Sequence, residues 1–272
     1  MQLGIFAKTF PGAGPLSVLS AVRDSGYAAT QFNLACCGLP SMPDAVPGSV
    51  ITAIQAAVET TGVSLVALSG TYNMAHPDIS VRQTGLRQLA VVIETAAALS
   101  IPLVTLCTGT RHASDQWAHH PDNTDPSAWA DMATEMAKAL ALAEKHGVDL
   151  GIEPEQANIV TSAEDAKRLI TEMGSKRLRI VLDPANLFES ATPPEARDIV
   201  ERAVETAARH IAMAHAKDRY ADGRFATAGQ GVVDFPDFIA RLKAVGFDGP
   251  LVTHGLSAAE APQVAAFLQE LV

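Results

Sequence analysis

Short apolar runs separated by longer amphipathic stretches recur along the whole chain. The runs are LGIFAK at 3–8, TQFNLA at 30–35, SLVALSG at 64–70, PLVTLCTG at 102–109, DLGIEPE at 149–155, LRIVLDPAN at 178–186, IAMAHAKD at 211–218 and PLVTHGL at 250–256. Within most of them the apolar residues are nearly continuous. Strands of a parallel sheet covered by helices on both faces have that character, whereas amphipathic hairpins would alternate. Eight strands are therefore predicted.

Helix punctuation lies between the runs. Asp125-Pro126 supplies an N-cap and a first-turn proline, Trp129, Met132, Met136 and Leu140 recur at helical spacing, and Lys145-His146-Gly147 closes the segment. Ser162 with Asp165, and Ser257 with Glu260, have capping-box spacing and predict helices starting soon after strands. Eight strand–helix pairs in 272 residues average about 34 residues per unit, the size of the βα repeat that closes into a barrel. An open doubly wound sheet is the lesser alternative. It lacks support because no GxGxxG follows the first strand, no GxxxxGK[ST] occurs, and FPGAGP at 10–15 does not have the spacing. The expected fold is α/β, a single (β/α)8 TIM barrel forming one domain over residues 1–272.

Composition narrows the function classes. With 48% hydrophobic residues the chain can bury a large core, and 20 Lys plus Arg against 30 Asp plus Glu leave a formal charge of −10. A surface of that sign repels phosphate backbones, so no nucleic-acid partner is expected. No apolar stretch approaches the roughly 18 residues of a membrane helix, so no membrane partner is expected either. The first run follows only Met1 and Gln2, leaving no room for a signal peptide, and a cytoplasmic location is expected. Cys36, Cys37 and Cys107 suggest buried small hydrophobes rather than a disulfide framework or a zinc site.

In a parallel barrel the active site forms where strands end, so polar residues that finish apolar runs are the candidates. Glu153, Asp183, His215 and His254 end the fifth to eighth predicted strands, separated by 30, 32 and 39 residues, each close to one repeat. Four groups at the same height on neighbouring strands form a site for one divalent ion, Mn, Co, Zn or Fe, that would polarise a carbonyl or stabilise an enediolate. The structural alternative for each is a strand-end group satisfied by hydrogen bonds. Glu155 shares a strand face with Glu153 and is an alternative ligand. His76, Arg111, Asn186, Lys217 and Asp218 fall at the same rim and are candidates to grip a sugar-like substrate, with Lys217 as a cation or an acid/base group. Loop salt bridges are the alternative for these. Trp117, His119 and His120 lie in the 109–125 loop, a candidate lid, and Arg111, Lys217 and Arg224 could each meet a phosphate.

The motifs GIEPE, VLDPAN, AHAKD, GQGVVDF at 229–235 and GFDGPLVTHGL at 246–256 resemble the sugar phosphate isomerase/epimerase family, whose members share the xylose isomerase-like barrel. That resemblance implies a metal held by a Glu, an Asp, a His and a second Glu ending strands five to eight. Glu153, Asp183 and His215 match, and His254 stands where the second Glu is usual. Asn186 replaces the His that often follows the strand-six Asp by three residues. In the familiar epimerases two glutamates face each other across the substrate and move the proton between its faces. The change at His254 therefore favours one-base chemistry, with Glu153 as the proton carrier. The expected function is a metal-dependent isomerase or epimerase acting on a ketose, keto-sugar or related polyol through an enediolate. A metal-dependent lyase or dehydratase, or a catalytically silent sugar-binding barrel, are the alternatives. The resemblance also implies a homodimer or homotetramer. Endonuclease IV-like enzymes share the barrel but need ligands for three zinc ions, which are not evident here.

Overall fold

The computed structural model describes residues 1–272. Its strands are β1 (Gln2–Phe6), β2 (Ala29–Phe32), β3 (Ser64–Ser69), β4 (Leu103–Leu106), β5 (Asp149–Ile152), β6 (Leu178–Leu182), β7 (Ile211–Ala216), β8 (Asp218–Arg219), β9 (Phe225–Ala226) and β10 (Pro250–Thr253). The helices are α1 (Pro15–Asp24), α2 (Gly48–Thr61), α3 (Ile79–Ala98), α4 (Pro126–His146), α5 (Ala163–Met173), α6 (Pro193–Ala207), α7 (Phe235–Ala244) and α8 (Ala261–Gln269). Eight parallel strands close a barrel in the order β1-β10-β7-β6-β5-β4-β3-β2, sealed where β1 pairs with β10. The chain thus forms a single (β/α)8 TIM barrel, with β8 and β9 as a small antiparallel hairpin above the rim. No helix is long and apolar enough to cross a membrane.

The strands are shorter than the apolar runs because their last residues turn out of the ladder. The second run leaves β2 at Phe32, where the Asn33 side chain accepts from the Ala35 N–H and opens a 3-10 turn. The sixth leaves β6 at Leu182, where Asp183 caps a 3-10 turn over Pro184–Asn186. Side chains at such junctions project at the C-terminal mouth, where they are free to do chemistry.

Asp125 caps α4 through the Ser127 N–H, and Gly147 ends it in the left-handed region at φ 73°. Ser162 caps α5 by accepting from the Asp165 N–H. The second expected capping box is displaced. Ser257 and Glu260 do bond, but in the turn before α8, which begins only at Ala261 with Pro262 in its first turn. Another box, between Thr192 and Glu195, starts α6. Of the cysteines, Cys36 and Cys107 are buried and Cys37 is half-buried; all three are free.

One core lies between barrel and helices, with Phe32, Phe235, Phe238, Leu19, Ile54 and Leu89 fully enclosed. A smaller cluster of Ala29, Val66, Ala67, Leu103, Val181, Met213 and Val252 spans six barrel strands, two of its residues coming from β3. Gly151 adjoins it: a Cβ there would lie 2.7 Å from a Val181 methyl. Gly151→Val should overpack this layer and lower stability by about 1–3 kcal/mol in chemical denaturation. Val181→Ala in the same chain should restore part of the loss. An unchanged midpoint in Gly151→Val would show that the layer is loosely filled.

Candidate functional site

Glu153, Asp183, His215 and His254 converge at the C-terminal mouth, each one residue past β5, β6 or β10 or within the end of β7. One ligand atom from each lies within 4.8 Å of all the others. Asp183 has no solvent exposure. Its Oδ2 lies 3.0 Å from His254 Nε2, 3.7 Å from His215 Nδ1 and 3.3 Å from the Lys217 ammonium. Glu153 Oε1 accepts from Asn186 Nδ2 at 2.7 Å and lies 3.2 Å from His215 Nδ1. Asn186 in turn accepts from Lys217 at 2.6 Å, which ties the carboxylate to the ammonium.

Burial opposes the charge on Asp183, yet Lys217 and the two imidazoles outweigh it and hold its pKa well below the ordinary value. Burial likewise opposes ionisation of Glu153, and His215 reverses the balance and lowers its pKa. The two imidazoles diverge. His215 resists the burial penalty because Glu153 and Asp183 flank it, and its pKa rises to about 9. His254 is pushed down by burial and by the neighbouring His215 charge. Glu155, half-buried beside Glu153, rises to about 7 because burial and the Glu153 charge both disfavour its ionisation. Two ionised carboxylates and two ring nitrogens aimed at one point fit a divalent transition ion, and their mixed hardness does not single out one metal.

The cluster opens into a cavity of about 500 Å³ whose lining is mostly polar, with Phe6, Trp117 and Phe225 as its apolar contacts. Glu155, Asn186 and Lys217 face this cavity together with Glu153, His215 and His254. Phe225 is carried there by the β8–β9 hairpin, with its ring 4.1 Å from the Lys217 ammonium.

Three residues expected at the substrate are placed elsewhere. Arg111 turns away to pair with Asp131 at 2.8 Å and to donate to the Ala75 carbonyl, since a buried guanidinium needs a carboxylate. His76 is held outside the cavity by the Ala113 carbonyl and the Asp78 N–H. Asp218 is fully buried and accepts from the backbone N–H groups of Arg219, Gly229, Gly231 and Val233. It organises the loop carrying the GQG motif, in which a Cβ at Gly231 would overlap the Arg219 carbonyl and the Asp218 carboxylate. Of the other groups considered, Arg224 pairs with Asp222 at the surface, His120 caps the 3-10 turn over Pro121–Thr124, and His119 faces a separate cleft. Trp117 reaches the cavity mouth from the 109–125 loop.

Among the cavity residues that escape the strand-end rule are Gln31 and Lys8. Gln31 lies inside β2 rather than at its end, and its only sequence signal is a polar residue within an apolar run. Lys8 follows β1 in a 3-10 turn and also lines the cavity.

A profile of the family described as xylose isomerase-like TIM barrel matches residues 19–271. No curated protein matches the chain by sequence. Among solved structures, 3-keto-D-glucoside 4-epimerase from E. coli superposes with a TM-score of 0.78 at 18% identity, covering 99% of each chain. D-psicose 3-epimerase from Clostridium cellulolyticum H10, solved with D-tagatose, gives 0.75 at 16% identity over 100% of this chain and 99% of that one. D-allulose 3-epimerase from Methylomonas sp. gives 0.77 at 14% over 100% and 98%.

Two outcomes test the donor set. His254→Ala should sharply lower the bound Mn, Co, Zn or Fe seen by elemental analysis, from about one ion per chain; equal content in the two proteins would remove His254 from the set. In the metal-free protein the His215 pKa lies at about 9, above the ordinary 6.5, so its stabilising contribution is full below 6.5 and lost as pH rises through about 9. An ion held by His215 would displace that proton, so apparent Co²⁺ affinity should rise about tenfold per pH unit across this window. A flat profile would show that no such proton is displaced.

Proposed function

The chain belongs to the xylose isomerase-like TIM barrel family, and on that premise we propose that it is a divalent-metal-dependent isomerase or epimerase of a ketose, keto-sugar or related polyol. The observation that carries this reading is the convergence of Glu153, Asp183, His215 and His254 at the floor of a polar cavity. These four residues hold the ion. When bound, it supplies Lewis-acid stabilisation of negative charge developing on the substrate's carbonyl oxygen. The substrates named for the structural relatives, a keto-glucoside, psicose, allulose and tagatose, support the substrate class.

Glu153 is the proton carrier. Its Oε1 is occupied by Asn186 and His215, whereas no protein donor reaches Oε2, which is left to take a proton from the carbon between carbonyl and hydroxyl. Returning that proton to the adjacent carbon, while the hydroxyl proton passes to the former carbonyl oxygen, interconverts aldose and ketose; delivery of a proton to the opposite face of the same carbon would epimerise. Asn186 holds Glu153 and Lys217 at a set separation, so the ammonium lies ready to balance charge on the reacting oxygens while the carboxylate moves the proton. Glu155 and Asn186 bind substrate hydroxyls, and Phe6, Trp117 and Phe225 cover the apolar faces of the sugar. A homodimer or homotetramer completes the reading and rests on the family resemblance.

His254 favours a second reading. Epimerisation by two opposed carboxylates needs a second base, and an imidazole occupied by Asp183 through Nε2 is poorly suited to that task. Elimination of water next to the keto group needs one base only, and its product is lighter than its substrate by one water. An isomer has unchanged mass.

Glu153→Gln should cut solvent deuterium incorporation into D-psicose, D-tagatose or a 3-keto-glucoside by about 100-fold or more, with far-UV dichroism unchanged. Metal content measured in the same sample separates loss of the base from loss of the ion. Full exchange in the metal-loaded variant would overturn the assignment of Glu153.

A further inference from the structure

His215 has two ring nitrogens and only one of them, Nδ1, faces the metal-ligand cluster. The other, Nε2, lies 2.9 Å from Oε1 of Gln31, which reaches across the mouth from β2. An amide presents different chemistry at its two ends, so its orientation matters. Here the nitrogen end is taken up by two hydroxyls, Ser69 on β3 and Thr105 on β4, each 3.1 Å from Gln31 Nε2. Both N–H groups of the amide have acceptors, and its oxygen is turned toward the imidazole. Gln31, Ser69 and Thr105 are all buried at the cavity wall, which limits competition from water for these bonds.

An amide oxygen only accepts. It therefore requires a hydrogen on His215 Nε2, and a neutral ring with hydrogen there carries its lone pair on Nδ1. We infer that Gln31 is a positioning residue that fixes His215 in the Nε2–H form and aims its Nδ1 lone pair at the ion, with Ser69 and Thr105 locking the amide. The inference rests on the metal reading above and adds to it a contact from the opposite wall of the barrel.

Strand irregularities fit this arrangement. The β2–β3 register slips between Thr30 and Gln31, leaving Val66 unmatched three residues before Ser69. The β6–β7 register slips likewise, leaving Ala212 unmatched three residues before His215. Such bulges re-aim the side chains that follow, and here they precede both partners in the hydrogen-bond chain.

The experiment compares wild type with Gln31→Leu, Gln31→Glu and Thr105→Val. Zn²⁺ affinity is measured by competition with a chromophoric chelator, and the His215 ring nitrogens are followed by ¹⁵N NMR without metal and with Zn²⁺. In metal-free wild type the Nε2–H proton should be protected from exchange with water, and in Gln31→Leu that protection should be lost. Gln31→Leu should bind Zn²⁺ about 10–100-fold more weakly, the usual cost of removing the partner of a metal-bound histidine. Gln31→Glu keeps an acceptor and should retain the affinity within about threefold, whereas a loss from side-chain disruption alone would appear in both variants. Thr105→Val releases one end of the amide and should weaken binding by a few-fold, which keeps the test open if Gln31→Leu does not fold. Wild-type affinity and an unaltered Nε2–H signal in Gln31→Leu would overturn the inference alone. A wild-type protein that takes up no Zn²⁺, Mn²⁺ or Co²⁺ would overturn the metal reading and this inference together.

Discussion

A carboxylate sealed inside a barrel is the constraint around which the mouth of this molecule is arranged. Asp183 has no access to solvent, and an unpaired charge in that position would cost several kcal/mol. Its neighbours offset that cost from three directions: His254 at 3.0 Å, Lys217 at 3.3 Å and His215 at 3.7 Å. Two of them, Lys217 and His215, then make a second contact that reaches further. Lys217 holds Asn186, Asn186 holds Glu153, and His215 holds Gln31. The mouth is thus one connected polar network rather than separate ligands, and a change at any member is felt at the others.

Much of this was legible in the sequence because a parallel barrel converts repeat length into height. Glu153, Asp183, His215 and His254 end apolar runs one repeat apart, and the barrel closes with those ends level. The same rule misplaced Arg111, His76 and Asp218. It says where a backbone ends, whereas the direction of a side chain depends on which partner satisfies it. Arg111 found Asp131 on α4, a helix the strand pattern does not address, and Asp218 found the backbone of the loop that follows it.

Gln31 was hidden for the opposite reason. It lies within a strand, where one polar residue among apolar neighbours carries no mark of function, and its partners lie on β3, β4 and β7. Only closure of the barrel brings them together. The β8–β9 hairpin escaped notice as well, because two strands of two residues leave no periodicity to detect. It nonetheless places Phe225 over Lys217.

The division of labour between the two halves of the barrel bears on how the protein comes into being. Strands β2 to β4 contribute the neutral brace, Gln31, Ser69 and Thr105, while every member of the Glu153, Asp183, His215 and His254 cluster lies beyond β5 in the chain. His254 comes directly after β10, which docks between β7 and β1 to complete the ring. During synthesis the donor set is therefore finished by the same event that closes the barrel. A chain cut short before β10 lacks both the closed ring and the fourth member of the cluster, so the two are completed or lost together.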